Sequence, residues 1–125
     1  TVKVYNTKSA EEYFAHRCHD SYVDNVKCSK DGTLLLTSNV RRRPFSAMWN
    51  IERNQFSSKL IFNEDEFLEF SKLDEDKILG ANPVRTTIYD IRTGQAIASY
   101  KSFFNNYCSL NRATFSPLDD LILSG

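Results

Sequence analysis

The sequence predicts an all-β fold, a β-propeller arc of about three blades, on three observations. Aromatic side chains make up 13% of the 125 residues, nine Phe, six Tyr and one Trp, and rings in that number suit pleated, half-buried surfaces. A serine ladder repeats through Val26-Lys27-Cys28-Ser29-Lys30-Asp31, Leu68-Glu69-Phe70-Ser71-Lys72-Leu73-Asp74 and Ala113-Thr114-Phe115-Ser116-Pro117-Leu118-Asp119, its serines stepping by 42 and 45 residues. An aromatic ladder runs through Val4-Tyr5-Asn6, Met48-Trp49-Asn50 and Ile88-Tyr89-Asp90, with steps of 44 and 40. Two independent ladders with a period of 40 to 45 residues mark a repeat, and that period is the length of a four-stranded propeller blade of WD type.

The elements follow in order. Residues 1–18 hold the last two strands of one blade, Val2–Tyr5 and Tyr13–Cys18. Residues 19–62 form a full blade. Its first strand, Tyr22–Ser29, alternates and ends at the Lys30-Asp31-Gly32 turn. Thr33–Ser38 is continuously apolar, as a strand covered on both faces should be. Ser46–Ile51 follows after a loop, and Lys59–Phe62 closes the blade after the polar connection 52–58. Residues 63–100 repeat the plan with Phe67–Leu73, Lys77–Ala81, Thr86–Ile91 and Gln95–Tyr100. The last two are joined by the Arg92-Thr93-Gly94 hairpin. Residues 101–125 begin another blade with Arg112–Ser116 and Leu121–Ser124. Helix formers occur in 9–17 and 63–73, but the serine repeat decides the second stretch for strand. Twelve strands equal three blades, whereas closed propellers use roughly four to eight. An arc is therefore expected, cut from a larger protein, with end blades that neighbours must cover.

Charge and composition exclude several classes. Sixteen basic and sixteen acidic side chains cancel, which argues against a non-specific nucleic-acid binder or a polybasic membrane binder. The longest aliphatic run is Leu34-Leu35-Leu36, far short of the about 20 apolar residues of a membrane-spanning helix. Cys18, Cys28 and Cys108 form no C-x-x-C pair, so free thiols in a reducing compartment are expected.

Candidate chemistry is sparse. His16-Arg17-Cys18-His19 offers soft ligands, but alternation splits them between faces and no second ligand pair sits nearby, so no metal is expected. Glu64-Asp65-Glu66 and Asp74-Glu75-Asp76 lack a calcium-loop pattern and read as solvated turns. No phosphate loop, G-x-S-x-G elbow or kinase signature occurs. Neither catalytic residues nor a cofactor are expected. Arg41-Arg42-Arg43-Pro44-Phe45 is the unusual feature: three guanidiniums between two strands, with Pro opposing regular pairing. A solvated loop is one reading. The other is a recognition loop on a rigid scaffold, with Asp20, Arg41, Arg42 and Arg43 facing a protein partner.

DGTLLLTS at 31–38, PFSAMWNI at 44–51, EFSKLDEDKILG at 69–80, IYDIRTG at 88–94 and NNYCSLNRATFSPLDDLIL at 105–123 together resemble the Vpr-binding protein family. Its C-terminal WD-repeat propeller is a substrate receptor of cullin-RING ubiquitin ligases. The resemblance implies a seven-bladed propeller, a nuclear and cytoplasmic protein, recruitment of protein substrates, and no catalytic site in this region. It also implies contact with a ligase adaptor subunit and, through it, the cullin scaffold. In such receptors a Trp-Asp-x-Arg box ends certain third strands, its Arg touching the adaptor. Tyr89-Asp90-Ile91-Arg92 is similar to that box, which makes Arg92 the candidate, whereas Tyr5-Asn6-Thr7-Lys8 and Trp49-Asn50-Ile51-Glu52 lack the Arg. Primate members carry an aromatic at the place of Arg41, on the face that viral accessory proteins use, and this counts against recruitment by those proteins. The WD repeat ties a His, a Ser or Thr, a Trp and an Asp together. Here His19, Ser38 and Trp49 take three of those places, residues 39–43 replace the Asp, and the next blade keeps Tyr89 beside Asp90. Trp49 is expected to be a largely buried core anchor against Leu35. A WD-repeat scaffold of an unrelated complex, or an enzyme with a site on the propeller face, are the alternatives.

Overall fold

A computed structural model describes residues 1–43, 45–52, 55–101 and 112–124. Pro44, Cys108 and segment 105–111 of the resemblance lie outside the described residues. Among the described residues twelve strands are present: β1 (Val2–Tyr5), β2 (Glu12–His16), β3 (Asn25–Cys28), β4 (Leu34–Ser38), β5 (Ser46–Glu52), β6 (Gln55–Phe62), β7 (Phe67–Phe70), β8 (Lys77–Ala81), β9 (Arg85–Asp90), β10 (Ala96–Lys101), β11 (Ala113–Phe115) and β12 (Ile122–Ser124). They form four antiparallel sheets ordered β1-β2, β3-β4-β5-β6, β7-β8-β9-β10 and β11-β12. No helix occurs among the described residues. The sequence-predicted propeller arc of about three blades is the fold.

Alternation explains the layering. In β4, Leu35 points into a cluster with Val2, Cys18 and Phe56, while Leu36 points into another with Met48, Phe62, Leu68, Ile78 and Ile91. In β8, Ile78 joins that second cluster, and Leu79 turns the opposite way to Ala81, Ala113 and Phe115. The second strand of each full sheet is thus apolar on both faces because a sheet lies against each. Neighbouring sheets also meet through β3 with β7 and β7 with β11, so their first strands converge.

Several boundaries differ from expectation: β2 ends at His16 and β7 at Phe70, ahead of the expected Cys18 and Leu73. The first strand of the 19–62 blade is shorter, Asn25–Cys28; just before it Asp24 accepts from the Val40 N–H and the Tyr22 ring lies against Arg41. The fourth strand is longer: Gln55 already pairs with Glu52, and Ile51 faces Phe56. Residues 55–58, read as part of a connection, instead belong to the outer strand, where Ser57 and Ser58 are both exposed.

Antiparallel meanders sort the loops onto two ends. Segments 17–24, 39–43, 63–66 and 82–84 lie at one end; turns 6–11, 29–33, 71–76, 91–95 and 116–121 lie at the other. At that second end Asp119 clasps the preceding sheet. Its carboxylate accepts from the Ser71 hydroxyl and from the Leu73 N–H at 2.8 Å.

Candidate functional site

The interior of each full sheet carries a different polar spine. In the first, β4 and β5 pair so that Leu35 faces Trp49 and Thr37 faces Ala47. Thr37 and Trp49 therefore share one side of the sheet. The Trp49 indole N–H donates to Thr37 Oγ1 at 2.9 Å, and His19 Nε2 lies 2.8 Å from the same oxygen. Thr37 is thus the hydroxyl that joins the two rings, in the place expected for Ser38. Ser38 points to the opposite side, where Ser46 Oγ donates to it at 3.1 Å and also lies 2.6 Å from the carbonyl of Asp65. Trp49 is half-buried against the Val2, Leu35 and Phe56 cluster, less enclosed than expected.

The second sheet builds its spine without a hydroxyl hub. Gly80 stands where β4 has Thr37, opposite Thr87. A Cβ on Gly80 would come within 2.8 Å of the Asp65 carboxyl carbon and 2.9 Å of the Tyr89 ring. Into that space Asp65 reaches directly, and Tyr89 Oη donates to Asp65 Oδ2 at 2.5 Å. Asp65 is only 1% exposed, which corrects its reading as part of a solvated acidic turn. Burial pushes its carboxyl above the ordinary range, against the lowering effect of the Tyr89 bond. The Tyr89 phenol is raised by burial and by its bond to Asp65, so it remains a proton donor.

Asn39 and Asn82 form a further matched pair that sequence reasoning passed over, 43 residues apart. Both are buried. Asn39 Oδ1 accepts from the Arg41 N–H at 2.9 Å, and its amide donates to the Arg42 carbonyl at 3.0 Å. Asn82 Oδ1 accepts from the Val84 and Arg85 N–H groups at 2.9 and 3.0 Å. Each is an Asx-turn, a side-chain substitute for the turn hydrogen bond. The recurrence of Asn at the repeat period was the available signal.

The first end of the arc carries the arginine loop. Its base is set by the Asn39 turn, by Val40 N–H donating to Asp24 Oδ2 at 3.0 Å, and by Asn39 N–H donating to the Phe45 carbonyl at 2.6 Å. Arg41, Arg42 and Arg43 are exposed. Arg41 lies over the Tyr22 ring at 5.3 Å and Arg43 over Phe45 at 5.6 Å. Asp20 is exposed on the adjoining loop and pairs with Arg17 at 3.4 Å.

Arg92 sits at the other end, in the β9–β10 hairpin. Its guanidinium is 3.5 Å from Asp76 and 3.8 Å from Asp90, with 69% of the side chain exposed. Asp90 shapes the turn by accepting from the Arg92 N–H at 2.8 Å and the Thr93 N–H at 3.1 Å. These bonds hold its carboxyl below the ordinary range. Gly94 closes the hairpin at φ 73°, its N–H donating to the Asp90 carbonyl at 2.8 Å. Asp20 and the arginine triplet are therefore neighbours at one end, and Arg92 is remote from them.

The soft ligands of segment 16–19 have separate surroundings. His16 lies edge-on to Trp49 and Phe56 at 5.3 and 5.2 Å. Cys18 is buried, its thiol pushed up to about 11 by desolvation, and His19 belongs to the Thr37 spine. Among the described residues no group of three His, Cys, Asp or Glu side chains is arranged to hold a metal ion.

No protein-family model matches the chain. Its sequence is similar to Protein mahjong of Drosophila melanogaster, 36% identical over 122 residues, and to the DDB1- and CUL4-associated factor homolog 1 of Caenorhabditis elegans, 32% identical over 108 residues. These alignments cover 98% and 86% of the chain but only 8% and 6% of the two relatives. The likeness is thus continuous along the propeller arc and confined to a small part of each relative.

Proposed function

We propose that the chain is part of the substrate-receptor propeller of a cullin-RING ubiquitin ligase, a non-catalytic module of the Vpr-binding protein family. The observation that carries this reading is the similarity along 86% of the chain to a worm protein whose name associates it with DDB1 and CUL4. In this reading the arc belongs to a seven-bladed WD-repeat propeller of a nuclear and cytoplasmic protein. Its first end, with Asp20 and Arg41–Arg43, meets the recruited protein, and Arg92 at the opposite end meets the adaptor.

Physical chemistry supports that division. Arginine remains charged when desolvated and donates bidentately to carboxylates and carbonyls. Asp76 and Asp90 hold the Arg92 guanidinium outward, so less side-chain entropy is lost when a partner engages it. Two exposed surfaces on opposite ends of a rigid scaffold allow one protein to bind both partners at once.

Affinity purification of the full-length protein tests the reading. The adaptor and the cullin should co-purify with it. Recovery of a different stable complex, without either of them, would replace this reading by that of a scaffold for another assembly.

A further inference from the structure

We infer that the arginine-loop end is a docking surface for an extended acidic protein segment that carries an apolar residue. The inference rests on the receptor reading only in assigning this end to the recruited protein.

The first observation is electrostatic. The chain is neutral overall, yet three consecutive exposed guanidiniums lie together at one end. Among the described residues none of the three has a carboxylate within ion-pair distance. Of the acids around them, Asp20 pairs with Arg17 and Glu64 with Arg85, Asp24 accepts from the Val40 N–H, and Glu66 lines the adjoining groove. Three clustered guanidiniums without an ion-pair partner among the described residues attract a complementary negative segment and disfavour a basic one.

The second observation is apolar. Tyr22 is 71% exposed and Val84 68%. Arg43, Phe45, Pro83 and Val84 line an open groove of about 310 Å³ that also meets Glu64, Glu66 and Arg85. One apolar side chain of an extended peptide fits such a groove, which is open and so removes only part of its apolar surface from water. Arg41 and Arg43 lie over aromatic rings, which holds their flat guanidiniums in place while leaving their N–H edges available for carboxylates.

Glu66 sets the direction. Its half-buried carboxyl lines the groove beside Glu64, and the two acids repel a further carboxylate placed there. The acidic residues of the segment therefore lie over Arg41 and Arg42, with the apolar residue seated by Phe45 and Val84. A nucleic acid carries a phosphate at every nucleotide, so a strand threading the groove would set phosphates against Glu64 and Glu66.

The test uses the full-length protein and a fluorescein-labelled synthetic peptide of Glu and Ser around a single Leu. Anisotropy at low salt should show saturable binding that falls with ionic strength. Simultaneous Arg41→Ala, Arg42→Ala and Arg43→Ala should weaken it about tenfold or more, with the thermal melt unchanged because all three are exposed. A peptide with Lys for Glu should not bind, and one with Ser for Leu should bind about threefold more weakly. Three results would overturn the inference: no binding to the unmodified protein, equal binding by the triple variant, or tighter binding of a single-stranded oligonucleotide through the same arginines. Adaptor co-purification concerns the opposite end, so either proposal can fail without the other.

Discussion

Thr37 and Ser38 are adjacent hydroxyls with different consequences. Thr37 Oγ1 serves two rings, His19 and Trp49, inside the sheet. Thr37→Val keeps the shape and removes that oxygen, so it should cost about 2–3 kcal/mol. Ser38→Ala loses one hydrogen bond from Ser46, which keeps the Asp65 carbonyl as a partner, and should cost about 1 kcal/mol. Urea unfolding of the two variants measures the difference, and the reverse order would displace Thr37 from the centre of the spine. The presence of a His–hydroxyl–Trp set was legible from the sequence. Which hydroxyl belongs to it depends on strand register, because side chains alternate every residue. Trp49 opposite Leu35 puts Thr37, two residues along, on the indole's side, and that pairing is a tertiary fact.

The β8–β9 element shows how one blade position accepts two solutions. A hub threonine needs a Cβ; Gly80 removes it so that Asp65 can reach Tyr89. Gly80→Ala should cost about 1–3 kcal/mol by overpacking. Placing Gly80→Ala in a Tyr89→Phe background, where the Asp65 bond is already gone, should cost less, and strict additivity would argue against a shared network. This site also titrates. Burial raises the folded carboxyl of Asp65 above its ordinary 3.8. Below pH 3.8 both folded and unfolded states hold the proton. Above it the unfolded chain releases its proton first, so the Asp65 contribution is lost as pH rises through the folded value. Asp31 has the opposite sign: bonds from Ser29 and Thr33 lower it to about 2, so its contribution is present above pH 3.8 and is lost as pH falls through about 2. Asp65→Asn should therefore flatten stability on the side above pH 3.8 and leave the acid limb unchanged, as followed by denaturation at several pH values. Gly80 within an apolar strand was the sequence's sign of a close approach. The acidic neighbours of Asp65 hid it, because local charge reads as solvent exposure until a partner from 24 residues away is known.

At the scale of the whole molecule, interfaces between sheets carry the cohesion, and among the described residues the sheets at both ends have two strands each. Tyr5, Tyr13, Leu121 and Leu123 are each more than half exposed there. The 125-residue chain alone should self-associate, with a melt that shifts with concentration. A sharp, concentration-independent monomer melt would show that the arc is self-sufficient. The twelve strands were legible because period-2 patterning and a 40-to-45-residue ladder agree. The assignment of loops to ends was not, since it follows from sheet order. That order separates Arg92 from Arg41–Arg43, and the separation yields the most direct test of a receptor with one partner at each end. Full-length Arg92→Ala should weaken adaptor binding by about 1–3 kcal/mol, while the Arg41, Arg42 and Arg43 triple alanine variant should retain it in full. Quantitative adaptor co-purification from the two variants, compared with the unmodified protein, is the measurement. Unchanged adaptor recovery with Arg92→Ala, or its loss in the triple variant, would contradict the account.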